Sequence, residues 1–215
     1  MATITDATYY EKGINFIPNS KDISPSDSPS QNTGLLYFID LYERELMLNA
    51  LGITLYTDLQ TALKDLEKSE GKWQDLVKGK TYELNSKTYR WEGLRGYNKN
   101  SLVASYVFCK WLRNDESVYT TTGIAQNVAR NATNFSFTPK YIASWNQFFK
   151  RYQAQAQNAP KIIYNHFGAV GLDYYQHNNS EVSLYQYLTD QNEKEATSFP
   201  DFEFKFYRTQ NSFGI

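Results

Sequence analysis

The side chains that could do chemistry are few. The chain has two histidines, His166 and His177, and eleven residues apart they fit no metal-ligand spacing. Asp173 lies near His177, but an Asp/His pair without a nucleophile candidate does not make a catalytic centre. The sequence holds no phosphate-cradling glycine loop, no Gly-x-Ser-x-Gly elbow, no His-Glu-x-x-His and no Cys-x-x-Cys. Its single cysteine, Cys109, cannot close an internal disulfide. It sits in an apolar helical pattern with Val103, Val107 and Trp111, where a buried, inert thiol in a reducing compartment is the expectation. These absences predict a non-enzyme with no cofactor and no metal.

Binding chemistry is better represented. The 22 basic and 23 acidic residues give a net charge of −1, so no global signature of nucleic-acid or membrane-surface binding exists. Between Ser117 and Leu172, however, there is no Asp or Glu, while Arg130, Lys140, Lys150, Arg151 and Lys161 are present. Such a basic belt could face DNA phosphates or an acidic surface on another subunit. The acidic C-terminal third (Glu181, Asp190, Glu193, Glu195, Asp201, Glu203) offers that surface, and opposite charges on two flanks favour head-to-tail ring closure. Aromatic residues make up 16% of the chain, with 18 tyrosines. That exceeds what one modest core needs and points toward interfaces, with either a protein partner or a carbohydrate.

The elements that must position these groups read as mainly α: a helical bundle with a small inserted β-hairpin and extended N- and C-terminal arms. With 215 residues the chain can bury roughly 70% of its unfolded surface, enough for one core with appendages. We divide it into an N-terminal arm (1–33), a helical domain (34–198) and a C-terminal arm (199–215). Leu35, Ile39, Tyr42, Leu46 and Ala50 recur at helical spacing until Gly52, and Leu55, Leu59, Ala62, Leu63 and Leu66 mark a second helix ending near Gly71. Lys72 to Val77 predicts a short helical turn. A hairpin is expected at about 81–91, because Tyr82 and Leu84 share parity, as do Tyr89 and Trp91, around a turn at Asn85-Ser86-Lys87. A third helix runs from about Asn98 to Leu112. A polar passage (Tyr119 to Phe137) leads to Thr138-Pro139, which launches a fourth helix with a Tyr141, Trp145, Phe148, Phe149 and Tyr152 stripe that can continue, with a break near Pro160, into Ile162-Ile163-Tyr164. A last short helix follows Ser180. No start signal for export and no membrane span is read.

Both arms carry candidate binding residues. In the first, Tyr9, Tyr10, Ile14 and Phe16 could pair as a strand, and Pro25 and Pro29 follow in a breaker-rich stretch that bars any earlier helix. In the second, Phe202, Phe204 and Phe206 alternate with Glu203 and Lys205, followed by Tyr207 and a Phe213-Gly214-Ile215 ending. An aromatic terminus docks either on its own domain or on another chain. Burying three phenylalanines contributes on the order of 5–9 kcal/mol before ordering costs.

The ordered set of segments resembles the helical head-to-tail connector (adaptor or head-completion) proteins of tailed phages, and more closely the ring proteins below the portal of crAss-like phages. The likeness is carried by Phe38-Ile39-Asp40-Leu41-Tyr42-Glu43-Arg44-Glu45 with Ala50-Leu51-Gly52, by Tyr89-Arg90-Trp91-Glu92-Gly93-Leu94, by Tyr141 to Trp145, and by Asn211-Ser212-Phe213-Gly214-Ile215. It spans the chain from about residue 35 onward. The resemblance implies a structural virion subunit, made in the host cytoplasm. It implies a homo-oligomeric ring, twelvefold, between portal and tail, binding itself, the portal and further tail or ring proteins. DNA passes through the lumen without sequence-specific contact. In this scheme the Phe-rich arm fills partner pockets, and its removal (199–215) leaves helicity intact. A carbohydrate-binding or protein-interaction module using exposed Tyr and Trp is the alternative, and a DNA-binding module using the basic belt is a third.

Overall fold

A computed structural model describes residues 2–18, 20, 34–115, 117–120, 123–126, 138–153, 162–165, 168–172 and 181–208. The fold is mainly α with a small inserted hairpin, as its patterning predicts. Helix α1 (Leu35–Lys64) is one element broken at Gly52, whose φ of 77° and ψ of 174° no helical residue adopts. The glycine that the sequence offers as a stop does interrupt the helix, leaving two helical runs that meet at a kink, and the apolar stripe resumes beyond it through Leu55, Leu59 and Ala62. A short α2 (Gly71–Lys78) follows.

Strands β1 (Lys80–Leu84) and β2 (Lys87–Trp91) pair antiparallel with Tyr82 opposite Tyr89. Asn85 and Ser86 both lie at positive φ (50° and 61°), the backbone of the tight two-residue turn whose twist suits such a hairpin. The exit of β2 crosses the end of α2 backbone to backbone: Leu94 N–H donates to the Leu76 carbonyl (3.0 Å) and Arg95 N–H to that of Val77 (3.1 Å). A Cβ on Gly93 would stand 2.5 Å from Gly79 N, so only glycine fits.

Helix α3 (Leu102–Asp115) starts later than its apolar pattern suggests. Asn98, at φ 50°, sits in a preceding single turn, and the Ser101 hydroxyl accepts from the Val103 (3.0 Å) and Ala104 (3.2 Å) amides as the cap. Residues 102–109 are all buried, which makes α3 the central helix. It packs against α1 and against α4 (Thr138–Gln153), whose Tyr141, Trp145, Phe148 and Tyr152 are buried at helical spacing. Helix α5 (Leu184–Lys194), capped by Ser183, packs on α4.

Two expectations are corrected here. Ile162 to Asn165 is strand β5, paired with β6 (Gly168–Leu172), and not a continuation of α4; the β-branched Ile162-Ile163 pair following Pro160 favours extension. Likewise, the polar passage contains β3 (Ser117–Thr120) and β4 (Gly123–Gln126), a second hairpin absent from the sequence reading.

Residues 2–18 are the larger correction, since they form part of the body and are no extended arm. Ala7–Tyr10 is a single 3-10 turn capped by the Asp6 carboxylate, not a strand. Ile4, Tyr10 and Ile17 are buried, and Asn15 bridges two helices by donating to Ser105 Oγ (3.1 Å) and accepting from Ser144 Oγ (2.7 Å). Much of the aromatic excess is spent the same way, because Tyr10, Tyr106, Tyr152, Tyr187, Phe108, Phe148 and Phe199 are all fully buried.

Candidate functional site

The C-terminal segment lies extended along α1, α4 and α5, and the way it is held sets it apart from the rest of the surface. Phe199 is fully buried, edge-on to Trp73, and the Asn192 carboxamide binds both of its main-chain groups: Phe199 N–H donates to Oδ1 (2.8 Å) and Nδ2 donates to the Phe199 carbonyl (2.7 Å). Gln153, on the last residue of α4, does the same to Tyr207, accepting its N–H (2.6 Å) and donating to its carbonyl (2.8 Å). Between the two clamps Lys205 N–H donates to the Asn49 carbonyl (2.7 Å), and beyond them Trp145 Nε1 donates to the Arg208 carbonyl (2.8 Å). Side-chain amides and helix carbonyls thus supply what a neighbouring strand would supply. The Asn49 carbonyl is free to accept because it lies just before the Gly52 kink, where the helical ladder is broken. The segment also passes close over that kink: a Cβ on Gly52 would be 3.3 Å from Glu203 Cγ.

Side chains of the segment form an aromatic ladder. Phe204 stacks on Tyr152 at 4.4 Å between ring centroids, and Tyr185 of α5 contacts Phe202 (6.3 Å), Phe204 (5.0 Å) and Phe206 (5.0 Å). Phe202 and Phe204 are half-buried, while Phe206 stays 54% exposed. Tyr207 turns inward. Its hydroxyl accepts from Asn49 Nδ2 (3.0 Å) and donates to Tyr106 Oη (3.4 Å), which donates to Glu45 (2.8 Å), itself paired with Lys110 (3.0 Å). Burial raises the pKa of both phenols, so both hydroxyls keep their protons across ordinary pH. Because Phe199 belongs to the core and Tyr207 packs against it, removal of 199–215 would strip packing as well as any docking surface. Phe213 and Ile215 lie outside the described residues.

The N-terminal candidates divide. Tyr10 is fully buried and cannot meet a partner; Tyr9 and Ile14 are half-buried; Phe16 is 43% exposed. The segment is anchored by a residue that sequence reading missed: Glu43 of α1, buried, accepts the backbone N–H groups of Ile4 (2.8 Å) and Thr5 (2.8 Å) as well as the Thr5 hydroxyl. Burial pushes its pKa up to about 7 against these three donors. No local pattern marks this glutamate, since its partners are 38 and 39 residues away.

The basic belt is largely engaged within the chain where it is described. Lys140 donates to the Phe16 carbonyl (2.7 Å) and stands 4.9 Å over the Phe108 ring, and burial lowers its pKa. Arg151 pairs with Glu92 (3.0 Å) and bonds the Asn100 carbonyl. Lys150 is half-buried, and Arg130, Lys161, His166 and His177 lie outside the described residues. Cys109 is buried, its thiol pushed up to about 12.

A cleft of about 530 Å³ opens between the N-terminal segment and the Asn98–Asn100 turn, lined by polar groups such as Tyr9, Glu11, Lys12, Lys99 and Gln147. Among the described residues no three His, Cys, Asp or Glu side chains are grouped to hold a metal ion, and no helix is long and apolar enough to cross a membrane. No family model matches the chain, and neither does any curated protein or solved structure.

Proposed function

We propose that this chain is a structural, non-catalytic subunit of a ring at the head-to-tail junction of a tailed phage. The ring is twelvefold, binds a portal on one side and further tail or ring proteins on the other, and lets DNA pass through its lumen. The resemblance of the helical segments suggests this role. The observation that carries it is the C-terminal segment, an extended strand-like stretch held through its main chain with an aromatic ladder half open to solvent and Phe206 outermost. A ring subunit needs two different adhesive flanks, and this edge supplies one. The start of α1 supplies a second apolar patch, with Leu36, Tyr37 and Leu41 at 51%, 46% and 41% exposure.

The test is negative-stain electron microscopy with mass photometry of the purified protein, alone and mixed with a candidate portal. Rings, free or capping the portal, are expected, and Phe206→Asp should abolish them while leaving the circular dichroism unchanged. A strict monomer that ignores portals would remove the proposal. A carbohydrate module then becomes the next candidate, though Trp73, Trp91 and Trp145 are buried and its stacking platforms would fall to Tyr37 and Tyr97. Glycan-array binding by a monomer would mark it.

A further inference from the structure

Apart from the Tyr207 hydroxyl, which sits between Asn49 and Tyr106, the bonds that hold residues 202–208 are made to main chain. Gln153 takes the N–H and carbonyl of Tyr207, the Asn49 carbonyl takes Lys205 N–H, and Trp145 takes the Arg208 carbonyl. None of these depends on which molecule supplies the segment. The anchor before it is different: Phe199 is fully buried and clamped by Asn192 within its own body. Only Pro200 and Asp201 separate that fixed point from the segment, and Asp201 sits at φ 52°, in the left-handed region that a non-glycine residue occupies at a cost. A short hinge under strain, joining a fixed anchor to a separable strand, is the arrangement that exchanges between copies.

The geometry points to exchange of residues 202–208 between copies of this chain. The segment of one copy occupies the Asn49–Gln153 groove of a second, and Phe199 stays in place as the root of the hinge. Every bond of the closed form is remade in the exchanged form. The difference between them is therefore the relaxed hinge against the entropy of association, and the exchanged population rises with concentration. Exchange also accounts for the half-open ladder, since Phe206 and Tyr185 lie where the two bodies would meet. The inference is independent of any head-to-tail role, because a dimer exchanging segments satisfies it as well as a ring does.

The experiment uses two populations of the full chain, one carrying Asn49→Cys and the other Lys205→Cys; the buried native Cys109 stays silent. The two are mixed at high concentration in mild denaturant, returned to native buffer, fractionated by size and oxidised. The expected result is a disulfide between the two variants in the oligomeric fraction, at least about tenfold above either self-link, while a chain carrying both cysteines closes on itself in the monomeric fraction. Two outcomes overturn the inference: no oligomer at any concentration, or an oligomer in which the doubly substituted chain closes only on itself and the mixture yields no cross-link. Inserting two glycines after Asp201 provides a second variant that keeps the core intact. Relaxing the hinge should raise the dissociation constant of the exchanged form by about tenfold, and an unchanged constant would exclude the hinge as its cause.

Discussion

Glu43 shows how a single side chain ties a terminus to the body. Three donors converge on its carboxylate, and each favours the charged form, yet desolvation outweighs them and the pKa rises from 4.5 to about 7. The folded state therefore holds this proton more tightly than the unfolded chain does. The stabilisation is fully present below about pH 4.5, is lost as pH climbs to about 7, and is flat above that. Across the window it amounts to roughly 3 kcal/mol. Glu43→Gln removes the titration, so the unfolding free energy of the parent relative to the variant should fall between about pH 4.5 and 7 in urea titrations. A difference that stays flat across this window would mean that the three donors offset burial. At Cys109 the thiol, pushed to about 12, should ignore a disulfide reagent at pH 8 until the protein is unfolded. The buried thiol was legible from its apolar neighbours. Glu43 was not, because a carboxylate on a helix reads as solvated unless its distant amide partners are known.

At the scale of elements, period and turn chemistry served well where they acted locally. Tyr82 opposite Tyr89 follows from the parity of the hairpin and the turn at Asn85-Ser86, whereas Trp91 stacked on Tyr187 is a contact with α5 that parity does not supply. The α4 stripe follows from spacing alone. Contacts between elements were hidden: Gly79 and Gly93 look like ordinary turn residues in the sequence, whereas in the fold they let β2 cross the end of α2 at backbone distance. Gly93→Ala places a methyl 2.5 Å from Gly79 N and holds alanine at φ 83°, so both chains must move. We expect a loss of about 2–4 kcal/mol in urea unfolding, and a cost under 1 kcal/mol would show that the crossing is looser than its geometry. Tyr82→Phe belongs to the same scale. It removes the hydroxyl that donates to Asp190, a carboxylate only 2% exposed, and leaves that group with the Gln186 amide. The expected cost is about 1–3 kcal/mol, read from the shift in urea midpoint.

Seen whole, the molecule draws residues 2–18 and 199–208 onto one helical body, and the two segments are held by different means. The N-terminal segment is inserted, with side chains in the core. Beyond the buried Phe199, the C-terminal segment is laid over the helices with its rings half-open and is held largely through its main chain. Sequence reading could not separate these cases, because Tyr9-Tyr10 and Phe204-Phe206 look alike as aromatic arms. What divides them is where the polar partners stand: Ser105, Ser144 and Glu43 reach the first segment from inside, while Gln153 and Asn192 reach the second from helix ends. The consequence is an asymmetry in truncation. Removing residues 2–18 exposes the pockets of Ile4, Tyr10 and Ile17 and strips the Glu43 carboxylate of its three donors. Three such side chains contribute on the order of 5–9 kcal/mol, a sum comparable to the whole stability of an ordinary domain. That chain should lose cooperative thermal unfolding and its dispersed amide spectrum. Phe206→Asp changes only an exposed rung of the ladder and should shift the melting temperature by a few degrees at most. If the shortened chain instead melts cooperatively near the parent temperature, residues 2–18 are a detachable arm after all, and the N-terminal aromatic residues return as candidates for a partner.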